Sequence, residues 1–140
     1  MITHVFFDVG GVLGSSGWGA ESRARAVVVA VAAALAATGR CRLMAINNES
    51  AELNAYRPRT FGLAPTFTAF FGSCRLGVAK PARRIFELAL AMSQAEPARS
   101  VMIDDSEQNL PPARALGMQA IRYTTTGRLR QDLATLGIDA

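Results

Sequence analysis

Histidine, lysine and tryptophan occur once each in 140 residues, as His4, Lys80 and Trp18, and cysteine twice, as Cys41 and Cys74. Each scarcity excludes something. The single histidine is placed before an apolar run rather than at its end, which argues against a histidine-dependent nucleophilic triad. The cysteines form no CxxC pair and have no metal-ligand spacing with His4, so two buried thiols in a reducing cytoplasm are expected. Basic runs are also missing: fourteen of the fifteen basic residues are arginines scattered along the chain. None alternates with aromatics, so the net charge of +4 reads as a solvated surface rather than a nucleic-acid stripe. The longest uncharged apolar stretch, Ala26 to Ala37, is twelve residues, short of the ~20 that span a bilayer. The N-terminus has no basic region and Asp8 interrupts its apolar segment, so it does not read as a signal peptide. A cytoplasmic protein with no membrane and no nucleic-acid partner is expected.

What is present is more pointed. Half the residues are apolar, enough for one domain over 1–140 with a real core. Two apolar runs end in acid: VFFD closes on Asp8, and VMIDD on Asp104 and Asp105. Only five aspartates occur in the chain, and three are at these two ends. A buried strand that delivers a carboxylate at its C-terminal tip is how an open α/β sheet builds a site. The spacing predicts strands over 3–9, 41–46, 70–74, 100–105 and 119–123. Helices are predicted over 21–38, 50–57, 81–94, 111–116 and 128–136, with Ile85, Leu88, Ala89 and Met92 marking one apolar face and Pro81 in a first turn. Pro58 ends or kinks the second helix. Strands alternating with helices give the fold class: α/β, a parallel sheet of about five strands with helices on both faces in three layers.

FFDVGGVL, AINN, VAKP and VMIDDSEQN, in that order, resemble the four motifs of the haloacid dehalogenase-like hydrolase superfamily. The resemblance implies a Rossmann-like core and a set of roles. Asp8 is the nucleophile, attacking phosphorus to form an aspartyl-phosphate; the alternative is a strand-end aspartate that caps a loop. Asp8, the Gly10 carbonyl, Asp104 and Asp105 hold Mg²⁺, whose preference for hard oxygen ligands suits them; otherwise the DDS step is a turn capping a helix. Lys80, catalytic and phosphate-binding, pairs with Asp8 and a phosphate oxygen. Asn47 and Asn48 are expected on the phosphate, Asn47 where the superfamily usually has Ser or Thr, while Asn48 and Asn109 alternatively organise loops. Trp18, in the loop over the site, either stacks on a ligand or packs where a lid begins. The partners implied are a small phosphorylated substrate or a phosphoprotein.

Two departures qualify the resemblance. Phosphatases of the superfamily usually carry a second aspartate two residues after the nucleophile, as general acid and base; here that residue is Gly10. The helical lid that relatives insert between the first two motifs is reduced, around residues 14–26, to a loop and a helix start, leaving no cap domain. An open, unselective and slow site follows, and a homo-oligomer that shields it. The leading function is a Mg²⁺-dependent phosphohydrolase. The alternatives are an inactive scaffold acting by binding or oligomerisation, and a 2-haloacid dehalogenase, against which the paired Asp104 and Asp105 argue.

Overall fold

Apolar strands of four to six residues are held best with both faces covered, and the computed structural model has that arrangement. It describes residues 1–8, 20–48 and 66–140, with side chains of the first helix from Val29 onward. In chain order the elements are β1 (His4–Phe7), α1 (Ala20–Ala37), β2 (Arg42–Asn47), β3 (Ala69–Gly72), α2 (Ser73–Leu76), α3 (Arg83–Ser93), β4 (Ser100–Asp104), α4 (Leu110–Ala115), β5 (Gln119–Arg122) and α5 (Thr126–Thr135). Short 3-10 turns at Pro97–Arg99 and Glu107–Asn109 lead into β4 and α4.

The five strands form one sheet in the order β3-β2-β1-β4-β5, with every neighbouring pair parallel. Period-two alternation divides the side chains between two cores. Val5 and Phe7 join Leu43, Ala45, Val101 and Ile103 against Leu35 of α1 and Leu129 and Leu133 of α5. Phe6, Met44, Ile46 and Met102 face the other way, onto Ile85, Phe86 and Ala89 of α3 and Leu110 and Ala113 of α4. The chain winds outward from β1 to β3 and then returns to place β4 on the other side of β1. That reversal opens a crevice at the C-terminal ends of β1 and β4.

The class and strand count expected from the sequence are the ones found, with local differences. β3 stops at Gly72, and Ser73–Leu76 forms one helical turn with no buried residue, closed by the Gly77 N–H on the Ser73 carbonyl at 3.0 Å. Gly77 takes φ +71, a left-handed conformation that a glycine adopts without a Cβ clash. Pro81 lies in a turn ahead of α3, which starts at Arg83, and the Ala82 N–H donates to the Ala79 carbonyl at 2.9 Å. The buried stripe of α3 is Ile85, Phe86, Ala89 and Leu90, and Met92 is 61% exposed. Burial of Phe86 and Leu90 on this face leaves the Met92 side toward solvent. α5 starts at Thr126, two residues before the expected Arg128, because Thr125 Oγ1 accepts the Arg128 N–H at 3.2 Å. Cys41 is half-buried and Cys74 exposed, so the expectation of two buried thiols fails, Cys74 being carried out of the sheet by α2. The helix expected over 50–57, together with Pro58, Trp18 and Gly10, lies outside the described residues. Among the described residues no helix is long and apolar enough to cross a membrane.

Candidate active site

Register brings the two acidic tips together. Phe7 pairs with Ile103, and the Asp8 N–H extends the ladder by donating to the Ile103 carbonyl at 2.8 Å. Asp8 and Asp104 alternate with Phe7 and Ile103, so both project to the side on which Phe6 and Met102 meet α3. The turn before α3 delivers Lys80 to that side. Its side chain is 2% exposed, and the ammonium lies 3.2 Å from Asp8 Oδ1 and 2.8 Å from Asp104 Oδ2.

Asp104 is fully buried and its oxygens are well supplied with donors. Besides Lys80, Asn109 Nδ2 donates to Oδ2 at 3.1 Å, and the Ser106 N–H donates to Oδ1 at 2.9 Å. The second contact is an Asx turn, an aspartate accepting from the backbone two residues on. Asp105 is exposed at the rim. Its carboxyl is nonetheless pushed up to about 6, by partial burial first, then by the hydrogen bond and charge of Asp8, then by those of Asp104. One carboxylate oxygen from each of Asp8, Asp104 and Asp105 lies within 4.8 Å of the others. One ammonium against three carboxylates leaves an excess of negative charge that a cation would relieve. A divalent ion with a taste for hard oxygen ligands fits this donor set.

The asparagines divide. Asn47 ends β2, 1% exposed, and among the described residues neither Nδ2 nor Oδ1 has a hydrogen-bond partner. A buried amide with both ends unmet is rare. Asn48, in contrast, is engaged at both ends by the backbone of Lys80: Nδ2 donates to the Lys80 carbonyl at 2.9 Å, and the Lys80 N–H donates to Oδ1 at 2.8 Å. The crevice thus gathers Asp8, Lys80, Asp104 and Asp105, with Asn48 bonded to the lysine and Asn47 one strand away. Ser106 was not singled out from the sequence, although the Asp-x-Ser step carries the Asx-turn signal.

Residues 3–117 match the family model described as haloacid dehalogenase-like hydrolase. The chain belongs to the haloacid dehalogenase-like hydrolases. Among curated relatives, the bifunctional epoxide hydrolase 2 of Sus scrofa is 39% identical over 71 residues, 51% of this chain and 13% of that protein. The chain therefore spans about an eighth of the length of the curated relatives it matches. An uncharacterized protein from Corynebacterium glutamicum superimposes with a TM-score of 0.78 at 22% identity, covering 100% of this chain and 98% of that one. A haloacid dehalogenase-family enzyme from Bacteroides thetaiotaomicron, solved in complex with magnesium and inorganic phosphate, gives a TM-score of 0.69 at 16% identity, over 89% of this chain and 96% of that one. At these identities the structural likeness is one of fold alone.

Proposed function

We propose that this hydrolase is a Mg²⁺-dependent phosphohydrolase acting through an aspartyl-phosphate. The observation that carries the reading is the cluster at the β1 and β4 tips: Asp8 beside a buried ammonium, with two further carboxylates in reach of one ion. Asp8, Asp104 and Asp105 would hold Mg²⁺, which when bound neutralises carboxylate and phosphate charge. The complex of the Bacteroides thetaiotaomicron enzyme with magnesium and inorganic phosphate is consistent with that choice. Gly10, whose carbonyl the family resemblance adds to the metal ligands, is outside the described residues.

The chain's own residues then act in turn. Lys80 Nζ fixes Asp8 and offers a proton donor to a phosphate oxygen. An Asp8 oxygen attacks phosphorus, the bond from phosphorus to the ester oxygen breaks, and the alkoxide leaves with a proton from water. Water next attacks the aspartyl-phosphate, restoring the Asp8 carboxylate and releasing inorganic phosphate. The unmet amide of Asn47 is suited to donate to a phosphoryl oxygen. Gly10 offers no side chain for either proton transfer, so turnover is expected to be slow by the ~10²–10⁴-fold that general acid–base catalysis supplies. The substrate is a small phosphate ester or a phosphoprotein, and a homo-oligomer shields the open site; a monomer in sedimentation at low concentration would count against that assembly.

The test is hydrolysis of p-nitrophenyl phosphate by the wild type and Asp8→Asn, each with Mg²⁺ and with EDTA. Turnover that needs both Asp8 and the metal supports the reading. Mg²⁺ binding without turnover favours a scaffold that has kept the fold, the reading to which Gly10 and Asn47 point. Metal-independent halide release from a 2-haloacid would identify a dehalogenase instead.

A further inference from the structure

The contact between Asn48 and Lys80 links residues 32 positions apart. A side-chain amide that meets both the N–H and the C=O of one residue reproduces the two-point pairing of an antiparallel ladder. It fixes position and orientation where a single bond would leave a swivel. Core packing does not account for it, because Asn48 is exposed and belongs to neither apolar layer. What it holds is the backbone of a residue whose ammonium bridges Asp8 at 3.2 Å and Asp104 at 2.8 Å.

A lysine carries its charge on a flexible four-carbon stem, so both contacts depend on where its Cα stands. The turn before α3 anchors Lys80 from one side, through the Ala82 N–H on the Ala79 carbonyl. Asn48, leaving the β2 tip, anchors it from the other. We propose that Asn48 is a positioning residue that acts through the Lys80 backbone to set the ammonium between the two carboxylates, in place of the phosphate contact expected from the sequence. This deepens the phosphohydrolase reading, and it can be tested without turnover.

Lys80 is the only lysine in the chain. Protein labelled with ¹³C,¹⁵N-lysine therefore gives one lysine side-chain signal, a direct probe of this ammonium. In the wild type the two ε-methylene protons should be inequivalent, as expected of an immobilised stem. In Asn48→Ala they should merge and the signal should move toward that of free lysine, with the circular dichroism unchanged. Asn48→Asp keeps an acceptor for the Lys80 N–H but turns a carboxylate toward the Lys80 carbonyl, and it should fall between the two. It also decides the matter if the alanine variant does not fold. A wild-type lysine signal in a folded Asn48→Ala or Asn48→Asp protein overturns the proposal.

Kinetics add a second reading. Loss of positioning should lower kcat for p-nitrophenyl phosphate by about 10–100-fold and change KM by less than about 3-fold. A raised KM at unchanged kcat would mean that Asn48 binds the phosphate, and would also overturn the proposal. Should the wild type show no turnover, the phosphohydrolase reading fails while the lysine signal still decides the role of Asn48.

Discussion

Replacing Lys80 with methionine keeps the bulk of the stem and removes the charge that separates Asp8 from Asp104. At 2.8 and 3.2 Å, and with an effective dielectric constant of about 20, each contact is worth roughly 5–6 kcal/mol before desolvation. Carboxylate oxygens within 4.8 Å of one another repel by about 3 kcal/mol or more on the same scale. Removing one partner of such a buried pair typically costs about 3–5 kcal/mol once the lysine's own desolvation is recovered. For a domain of this size that corresponds to a fall in Tm of roughly 10–15 °C. The assay is thermal unfolding in EDTA at pH 7.5, followed by circular dichroism. Mg²⁺ should restore part of the loss, and its stabilising effect should be larger in Lys80→Met than in the wild type, because the variant offers the ion more uncompensated negative charge. A Tm within about 3 °C of the wild type in EDTA would refute the reasoning, since Asp8 and Asp104 would then not depend on the ammonium to lie side by side.

The Asp105 carboxyl, raised to about 6, binds its proton more tightly in the folded chain than in the unfolded one. Metal-free stability should therefore fall as pH rises from about 4 to about 6 and then level off. Asp105→Asn should remove that component of the slope in pH-dependent melting. Mg²⁺ competes for the same carboxylate, so its affinity, measured by titration calorimetry, should drop as pH falls below about 6. Gly10→Asp, which places a carboxyl two residues after the nucleophile, should raise p-nitrophenyl phosphate turnover by about 10²-fold or more; an unchanged rate would show that the missing aspartate is not what limits this chain. Phe86→Ala, at a fully buried position beneath the sheet, should lower stability by about 3–5 kcal/mol in urea unfolding.

The fold was legible because its signals are local. Short apolar runs ending in acid, separated by helical periodicity, define alternating elements whatever surrounds them, and β1, β2, β4 and α3 all lie within a few residues of where the pattern puts them. Where prediction missed, the deciding contact was made elsewhere or depended on a choice among similar residues. The apolar face of α3 contains more candidates than it can bury, and Phe86 and Leu90 displaced Met92 only when helix and sheet packed together. The exposed Cys74 depends on where β3 ends, and a period-two pattern does not mark its own end.

The same division runs through the site. The chemical types were fixed by the chain: a carboxylate at the end of each of two strands, one lysine, and a pair of asparagines at the tip of β2. Their relation was not. That Phe7 lies level with Ile103, bringing Asp8 beside Asp104, is a matter of strand register. That both point toward the turn carrying Lys80 follows from which sheet face α3 covers. The unmet amide of Asn47 and the doubly bonded amide of Asn48 are indistinguishable as neighbouring letters. A sequence sets the hydrogen-bonding capacity of each side chain, but which capacity is met depends on distances across the sheet that only the packed chain defines.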